Sequence, residues 1–300
     1  MSAGVLAREE VRAASPATFA DYLELTKPRI AVLELVTVTM AAFTARWSVP
    51  DGWLLAWLLI GTTLVAAGAS ALNQWLEIGT DARMPRTADR PLPAGRIAPW
   101  QALAFGVATT LSGTILLTWK VNLLTAVFGL GTWFLYVVVY TPLKRVTPLN
   151  TVVGAVAGAM PILMGWAAVE GRFNLSAAAL FMIVFLWQFP HFMAIAWLYR
   201  DDYARGGMRM ATVVDPSGRR AGRLSFFAAL ALVPVSLLPS VVDSAGPAYF
   251  TWAALLGTVQ LAFAAWFLVN QNERTARLLL RATLIYLPSL LLMLILGPFS

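Results

Sequence analysis

Asn73, Glu77 and Asp81 recur at intervals of four residues. On an α-helix turning about 100° per residue, each step drifts only about 40°, so the three side chains share one stripe about 12 Å long. An amide oxygen and two carboxylates are hard ligands, the kind Mg²⁺ takes together with waters and phosphate oxygens. The same spacing also fits a helix end rising into water, where all three would simply be solvated. A second acidic pair, Asp201 and Asp202, stands in "WLYRDDYARGGMRM". Two adjacent aspartates alone describe a solvated turn. After a second even-numbered apolar segment they instead describe the mouth of a pseudo-repeated bundle, where metal ions would bridge one polyanion.

Cations accompany both acidic sites: Lys27 and Arg29 in "TKPR", then Arg83, Arg86 and Arg90, then Lys144 and Arg145 in "YTPLKRVTP". Arginine holds phosphate through two parallel bonds and lysine as a point charge. Membrane topology accounts for loop cations but does not require acids. Acids and cations converging on one mouth therefore point to a metal–diphosphate ligand.

The elements that position these residues are membrane helices. The chain is 59% hydrophobic and only 12% charged, with a mean hydropathy of +0.71, which places it in a bilayer. Apolar runs near 29–47, 52–77, 97–119, 121–141, 149–169, 175–198, 222–242, 247–270 and 277–297 predict an all-α bundle of nine transmembrane helices. Very short connections, such as Trp119-Lys120-Val121, make neighbours antiparallel. Residues 1–27 have no long apolar core, so they read as a cytoplasmic tail before a transmembrane domain over 28–300.

Of the 22 Lys and Arg residues only Arg46, Lys120 and Arg172 fall on one face of that arrangement. The positive-inside rule then makes the amino terminus cytoplasmic and the carboxyl terminus external, across a cell membrane. The two longest loops, about 78–96 and 199–221, both face the cytoplasm, which puts the chemistry there. Topology also explains the net charge of +7, so no nucleic-acid partner is implied. The absence of cysteine removes disulfide, zinc-thiolate and thiol-nucleophile chemistry.

His191, the single histidine, lies inside an apolar span, where an imidazole is a candidate functional group and a usual ligand of haem iron. The alternative is a hydrogen bond across helices, including to a carbonyl freed by Pro190. Glu34, about one turn into the first span, is expected to pair with Lys27 or Arg29, with lining of the mouth as the alternative. Gly154-x-x-x-Gly158 allows close helix approach, and Trp47, Trp53 and Trp119 fit interfacial belts.

The run Asn73-x-x-x-Glu77-x-x-x-Asp81-x-x-Met84-x-Arg86-Thr87-x-x-Arg90-Pro91-Leu92 resembles the signature of the protohaem IX farnesyltransferases (haem O synthases) of the UbiA superfamily of intramembrane prenyltransferases. "LTKPR", "YTPLKRVTPLNTVVGAVAGAMPILMGW" and "WQFPHFMAIAWLYRDDYARGGMRM" follow in the family's order, so the motifs cover residues 25 to about 215. The resemblance implies that Asn73, Glu77, Asp81 and the Asp201/Asp202 site hold Mg²⁺ and the diphosphate of farnesyl diphosphate. It gives Lys27, Arg29, Arg83, Arg86, Arg90, Lys144, Arg145 and Tyr203 to substrate binding, and His191 to contact with haem B, the acceptor. It also implies partners among haem-biosynthesis and terminal-oxidase assembly proteins. The second loop departs from the pattern: Asp202-Tyr203 is followed by Arg205-Gly206-Gly207-Met208-Arg209-Met210, with an Arg where the family places Pro before Met. Other UbiA enzymes space two aspartates by four residues, whereas positions 205 and 206 are Arg and Gly. Both Asp201 and Asp202 are therefore carried as candidates.

Two other classes fit parts of the pattern. A UbiA-type enzyme acting on an aromatic quinone or chlorin precursor would share the fold, but more often carries Asp at the Glu77 position and lacks "RTxxRPL". A secondary transporter would place its polar residues near the midplane in broken helices, not at one face.

Overall fold

The computed structural model describes residues 17–242 and 245–296, all helix and connecting turns among those residues. Thirteen α-helices follow in order: α1 (Phe19–Leu25), α2 (Pro28–Thr44), α3 (Gly52–Asp81), α4 (Pro99–Lys120), α5 (Leu123–Trp133), α6 (Thr141–Leu143), α7 (Asn150–Glu170), α8 (Leu175–Leu198), α9 (Arg200–Arg205), α10 (Ala211–Val214), α11 (Arg219–Val242), α12 (Gly246–Val269) and α13 (Glu273–Leu296). A π-helical segment, Phe134–Tyr140, joins α5 to α6 without a break. Eight helices, with Leu123–Leu143 taken as one, are long and apolar enough to cross a membrane. The ninth expected span is α2, at 17 residues slightly shorter, which buries Val38, Ala41 and Ala42 within the bundle. The chain is thus a multi-pass membrane protein. Arg8 and Arg12, counted with the expected tail, lie outside the described residues.

The longest helix, α3, has 30 residues and so runs about 45 Å, against about 30 Å of hydrocarbon. The helix runs past the end of the apolar span at 77 to Asp81, as the four-residue stripe requires, which keeps the whole acidic stripe on one rigid element. Asp51 starts it by accepting from the Leu54 N–H, the usual N-cap arrangement. Small residues bring α3 and α4 together. A Cβ on Gly113 would meet the Gly61 carbonyl oxygen, and one on Gly68 the Gly106 carbonyl oxygen. In lipid, such close approach replaces the hydrophobic effect as the source of helix association.

The other contacts close the bundle. Helix α2 lies along α7, which also touches α5 and α8, and α8 packs on α11 and α13. Gly165 of α7 is where α2 approaches nearest, since a Cβ there would collide with the Val38 carbonyl oxygen. The two glycines noted in α7 have separate tasks: Gly154 clears the Tyr140 ring and Gly158 the Gln188 amide. Gln188 in turn donates to the carbonyl oxygens of Ala155 (3.0 Å) and Val184 (3.2 Å).

On the face carrying few cations, Arg46 (2.8 Å) and Arg172 (3.4 Å) share Glu170, and Lys120 lies over the Trp57 ring. The opposite face is clamped by Arg96. Its guanidinium donates to Asp21 (2.7 Å), Glu24 (2.6 Å) and the Asp89 carbonyl oxygen (2.7 Å), tying α1 to the turn-rich segment after α3. Asp21 also closes a capping box with Thr18. Those Thr18 bonds, then the Arg96 guanidinium, hold the Asp21 carboxyl down at about 2, against a usual 3.8.

Two outcomes follow from these contacts. Gly165→Ala should cost about 1–3 kcal/mol, because backbone and not a flexible side chain must yield, and should lower the unfolding midpoint in detergent. Gly52→Ala, with open space around it, should not. Because Asp21 is depressed in the folded chain, its contribution is complete above its unfolded value near pH 4 and is lost as pH falls towards 2. Hydrogen exchange in α1 and residues 82–98 should accelerate together across that window, and should not in Asp21→Asn.

Candidate active site

The α3 stripe faces into the bundle, with Asn73 1% exposed, Glu77 4% and Asp81 1%. It lines a polar cavity of about 80 Å³ together with Lys27, Arg86, Arg90, Tyr140, Lys144 and Tyr203. That is well below the roughly 300–1,000 Å³ of pockets enclosing drug-sized molecules, so it is sized for a charged head group.

Each of the three side chains of the stripe meets a cation from another element. Lys27 Nζ donates to Asn73 Oδ1 at 2.7 Å. Lys144 Nζ reaches Glu77 Oε1 at 3.0 Å and Oε2 at 3.2 Å. Arg90 NH1 donates to Asp81 Oδ2 at 2.7 Å. The Asn73 amide nitrogen donates to Glu77 Oε2 (3.0 Å) and Thr141 Oγ1 (2.9 Å), which orients its oxygen towards Lys27. Burial, then the charges of Arg90 and Lys144, push the Lys27 ammonium down to about 7. Burial also works against the Lys144 ammonium, yet Tyr140 and Glu77 hold it above the usual lysine range.

Local backbone features aim these groups. Lys27 takes a left-handed conformation, φ 51°, before Pro28 opens α2. Such strain in a non-glycine residue persists where surrounding contacts over-determine it, and here the Nζ–Asn73 bond is one. The π-helical segment before α6 widens the helix where Tyr136 and Tyr140 stack at 5.5 Å. It sets the Tyr140 ring 4.6 Å from Lys144 Nζ, and Thr141 Oγ1 bonds back to the Tyr136 carbonyl oxygen (2.8 Å). Single-turn π insertions of this kind are frequent at functional sites.

The remaining expected residues divide. Arg86 lines the cavity with its guanidinium over the rings of Tyr199 (4.9 Å) and Tyr203 (5.9 Å), a stacked position that leaves its N–H fork free of carboxylates. Arg83 bonds the carbonyl oxygens of Gly79 (3.0 Å) and Gly206 (3.4 Å), and Arg145 bonds Thr80 and the Leu76 carbonyl oxygen. Both brace α3 from outside the cavity. Arg29 is exposed and does not line the cavity. In α9, Asp201 is exposed and Asp202 faces Arg205 at 3.8 Å. Neither lines the cavity, while the adjacent Tyr203 does. The following loop is held down by the Arg209 N–H donating to the Lys144 carbonyl oxygen (2.6 Å).

His191 lies apart from the cavity lining. Its Nδ1 is 3.0 Å from Thr283 Oγ1, and its ring stacks on Trp187 at 4.9 Å. Glu34 does not pair as expected. Lys27 is drawn instead to Asn73, and no ion pair to Glu34 is formed among the described residues.

The arrangement suits a hard divalent cation in one specific respect. Asp81 Oδ1 is buried with no hydrogen-bond partner among the described residues, a costly state that a cation would relieve. Among the described residues no three carboxylate, histidine or cysteine groups form a ready metal cage. A cation here would therefore complete its shell with ligand oxygens, as Mg²⁺ commonly does with phosphates. Sequence reasoning missed Thr141, Tyr136 and Tyr140; "YTP" beside the basic pair was a signal for Tyr140 and Thr141.

Comparison with known proteins agrees with this architecture. A family model described as the UbiA prenyltransferase family matches residues 35–293. A protoheme IX farnesyltransferase from Solibacter usitatus (strain Ellin6076) is 44% identical, over 89% of this chain and 95% of the relative. Among solved structures, a digeranylgeranylglyceryl phosphate synthase superposes with a TM-score of 0.80 at 18% identity, covering 93% of this chain and 98% of that one. A UbiA homologue from Archaeoglobus fulgidus bound to GPP and Mg²⁺ superposes with a TM-score of 0.67 at 14% identity, covering 93% and 100%. With its family model matched over most of its length, the chain belongs to the UbiA prenyltransferase family.

Proposed function

We propose that this protein transfers the farnesyl group of farnesyl diphosphate to a vinyl group of haem B, giving haem O and diphosphate. The carrying observation is the buried set of Asn73, Glu77 and Asp81 faced one-to-one by Lys27, Lys144 and Arg90. The 44% identical protoheme IX farnesyltransferase supports haem as acceptor, and the A. fulgidus homologue holding GPP and Mg²⁺ supports a metal–diphosphate ligand on this fold.

In this reading the allylic C1–O bond breaks as diphosphate leaves, and the vinyl carbon of the haem attacks C1. The cation formed at the adjacent carbon then takes up water and releases a proton, which supplies the hydroxyl of haem O. Bound at the stripe, Mg²⁺ would neutralise charge on the leaving diphosphate. Asn73, Glu77 and Asp81 would face the metal. Lys27, Arg90 and Lys144 would turn from those oxygens to the phosphates, joining Arg86, whose fork already has no carboxylate. Asp201 and Asp202 stand in the helix that carries Tyr203 and would supply further metal oxygens, and Arg29, Arg83 and Arg145 further positive charge around the mouth. The apolar helix faces beyond the cavity would keep water from the allylic cation. The basic face is then cytoplasmic, in the cell membrane, with haem-biosynthesis and terminal-oxidase assembly proteins as neighbours.

Exchange of partners gives this reading a binding signature. All the stripe's oxygens except Asp81 Oδ1 are engaged by cations, so metal and diphosphate should bind cooperatively. By paramagnetic resonance, Mn²⁺ should bind at least about tenfold more tightly with inorganic pyrophosphate present than without it. Equal affinity in both conditions would remove the exchange.

The acceptor is decided by product mass. Purified protein with farnesyl diphosphate and Mg²⁺ should convert haem B to haem O and leave 4-hydroxybenzoate, an aromatic quinone precursor, untouched; the reverse would overturn the acceptor. Asp81→Asn should lower turnover on the order of a hundredfold, the scale seen when one group stabilising the transition state is removed, with the protein still folded. Near-normal turnover would remove Asp81 from the metal site.

A further inference from the structure

We propose that Thr283 is a positioning residue that fixes His191 in the Nδ1–H tautomer, so that Nε2 carries a free electron pair for the iron of the tetrapyrrole substrate. This rests on the haem reading above. It concerns a contact between α8 and α13 that lies outside the cavity lined by the acidic stripe.

The argument is one of proton counting. Thr283 Oγ1 is 2.7 Å from the Leu280 carbonyl oxygen and 3.0 Å from His191 Nδ1. The hydroxyl has a single proton. Leu280 O can only accept, so a contact of 2.7 Å requires that proton. The hydroxyl oxygen can then only accept from His191, and Nδ1 must carry the hydrogen. The opposite tautomer would set the Nδ1 lone pair against an oxygen lone pair at 3.0 Å. In a neutral ring a protonated Nδ1 leaves Nε2 unprotonated, and Nε2 has no hydrogen-bond partner among the described residues.

A second contact fixes the ring plane. Trp187, one turn before His191 on α8, stacks on the imidazole at 4.9 Å with 22° between planes. Its indole Nε1 donates to the main-chain oxygen of the same Thr283 at 2.8 Å. Thr283 thus holds the indole through its backbone and the imidazole through its hydroxyl, tying α8 to α13 at one residue. Metal-ligating histidines almost always donate their second N–H to such a partner, which fixes orientation and raises basicity. A histidine used only to join the two helices would need the Thr283 contact but would have no reason to keep Nε2 unpaired within a membrane span.

The test is haem binding by the full-length protein in lipid nanodiscs, read by the Soret band and by the ferrous iron–imidazole stretching frequency in resonance Raman spectra. Thr283→Val removes the hydroxyl, nearly preserves volume and leaves the main-chain oxygen for Trp187. It should weaken haem binding about tenfold, the scale for loss of a partner behind a metal ligand, and lower the stretching frequency. Thr283→Ser should restore both. A valine variant with the parent's affinity and spectrum would overturn the inference, as would a loss that serine does not rescue. His191→Ala separates the two levels: an unchanged haem spectrum in that variant would overturn haem contact by His191 and the inference with it. A changed spectrum beside an unaltered Thr283→Val would overturn the tautomer assignment alone.

Discussion

Charge burial at the membrane boundary is the constraint on which the rest of the structure depends. Two carboxylates and an amide sit almost wholly out of solvent on α3, in surroundings where an unpaired ion costs several kcal/mol even after relaxation. Each is offset by a cation from a different place in the chain: the entry to α2, the segment after α3, and the end of α6. Truncating one partner of such a pair leaves a buried charge uncompensated, which is far more damaging than the net worth of the pair suggests. The cations consequently fix where three separate pieces of chain must meet.

Those pieces are carried by elements with unusual local structure. Helix α3 outruns the hydrocarbon, so its last two turns hold polar groups while still rigid. The π-helical segment turns Tyr136, Tyr140 and Thr141 onto the same stripe. Arg96 binds α1 to the turns that present Arg86 and Arg90. The left-handed Lys27 lies between α1, which Arg96 holds, and α2, which packs along α7.

Legibility in the sequence followed the strength of the local signal. Hydropathy alone places nine helices, and four-residue spacing places Asn73, Glu77 and Asp81 on one face, because both depend only on helix geometry. Which cation meets which acid was not legible, since Lys27–Asn73 and Lys144–Glu77 join residues 46 and 67 positions apart. The expected pairing of Glu34 with Lys27 or Arg29 followed proximity along the chain; the left-handed turn at Lys27 and its bond to Asn73 remove that lysine. The widened turn after Trp133 carries no sequence mark distinct from an ordinary apolar helix. Thr283 was invisible because its significance lies in a single proton shared between α13 and α8.

The pairing of α2 with α7 also bears on how the protein is made. At 17 residues, α2 covers about 25 Å, less than the usual hydrocarbon thickness. Its main neighbour, α7, begins at Asn150, more than a hundred residues later in synthesis. Among the described spans α2 is the earliest in the chain and the shortest, and most of its packing surface exists only once α7 has been made. Lys27 is anchored to Asn73 at the same junction, so the first helix and the head-group site come into register together, late in insertion. A chain halted before α7 would hold the acidic stripe and Lys27 without the helix along which α2 packs.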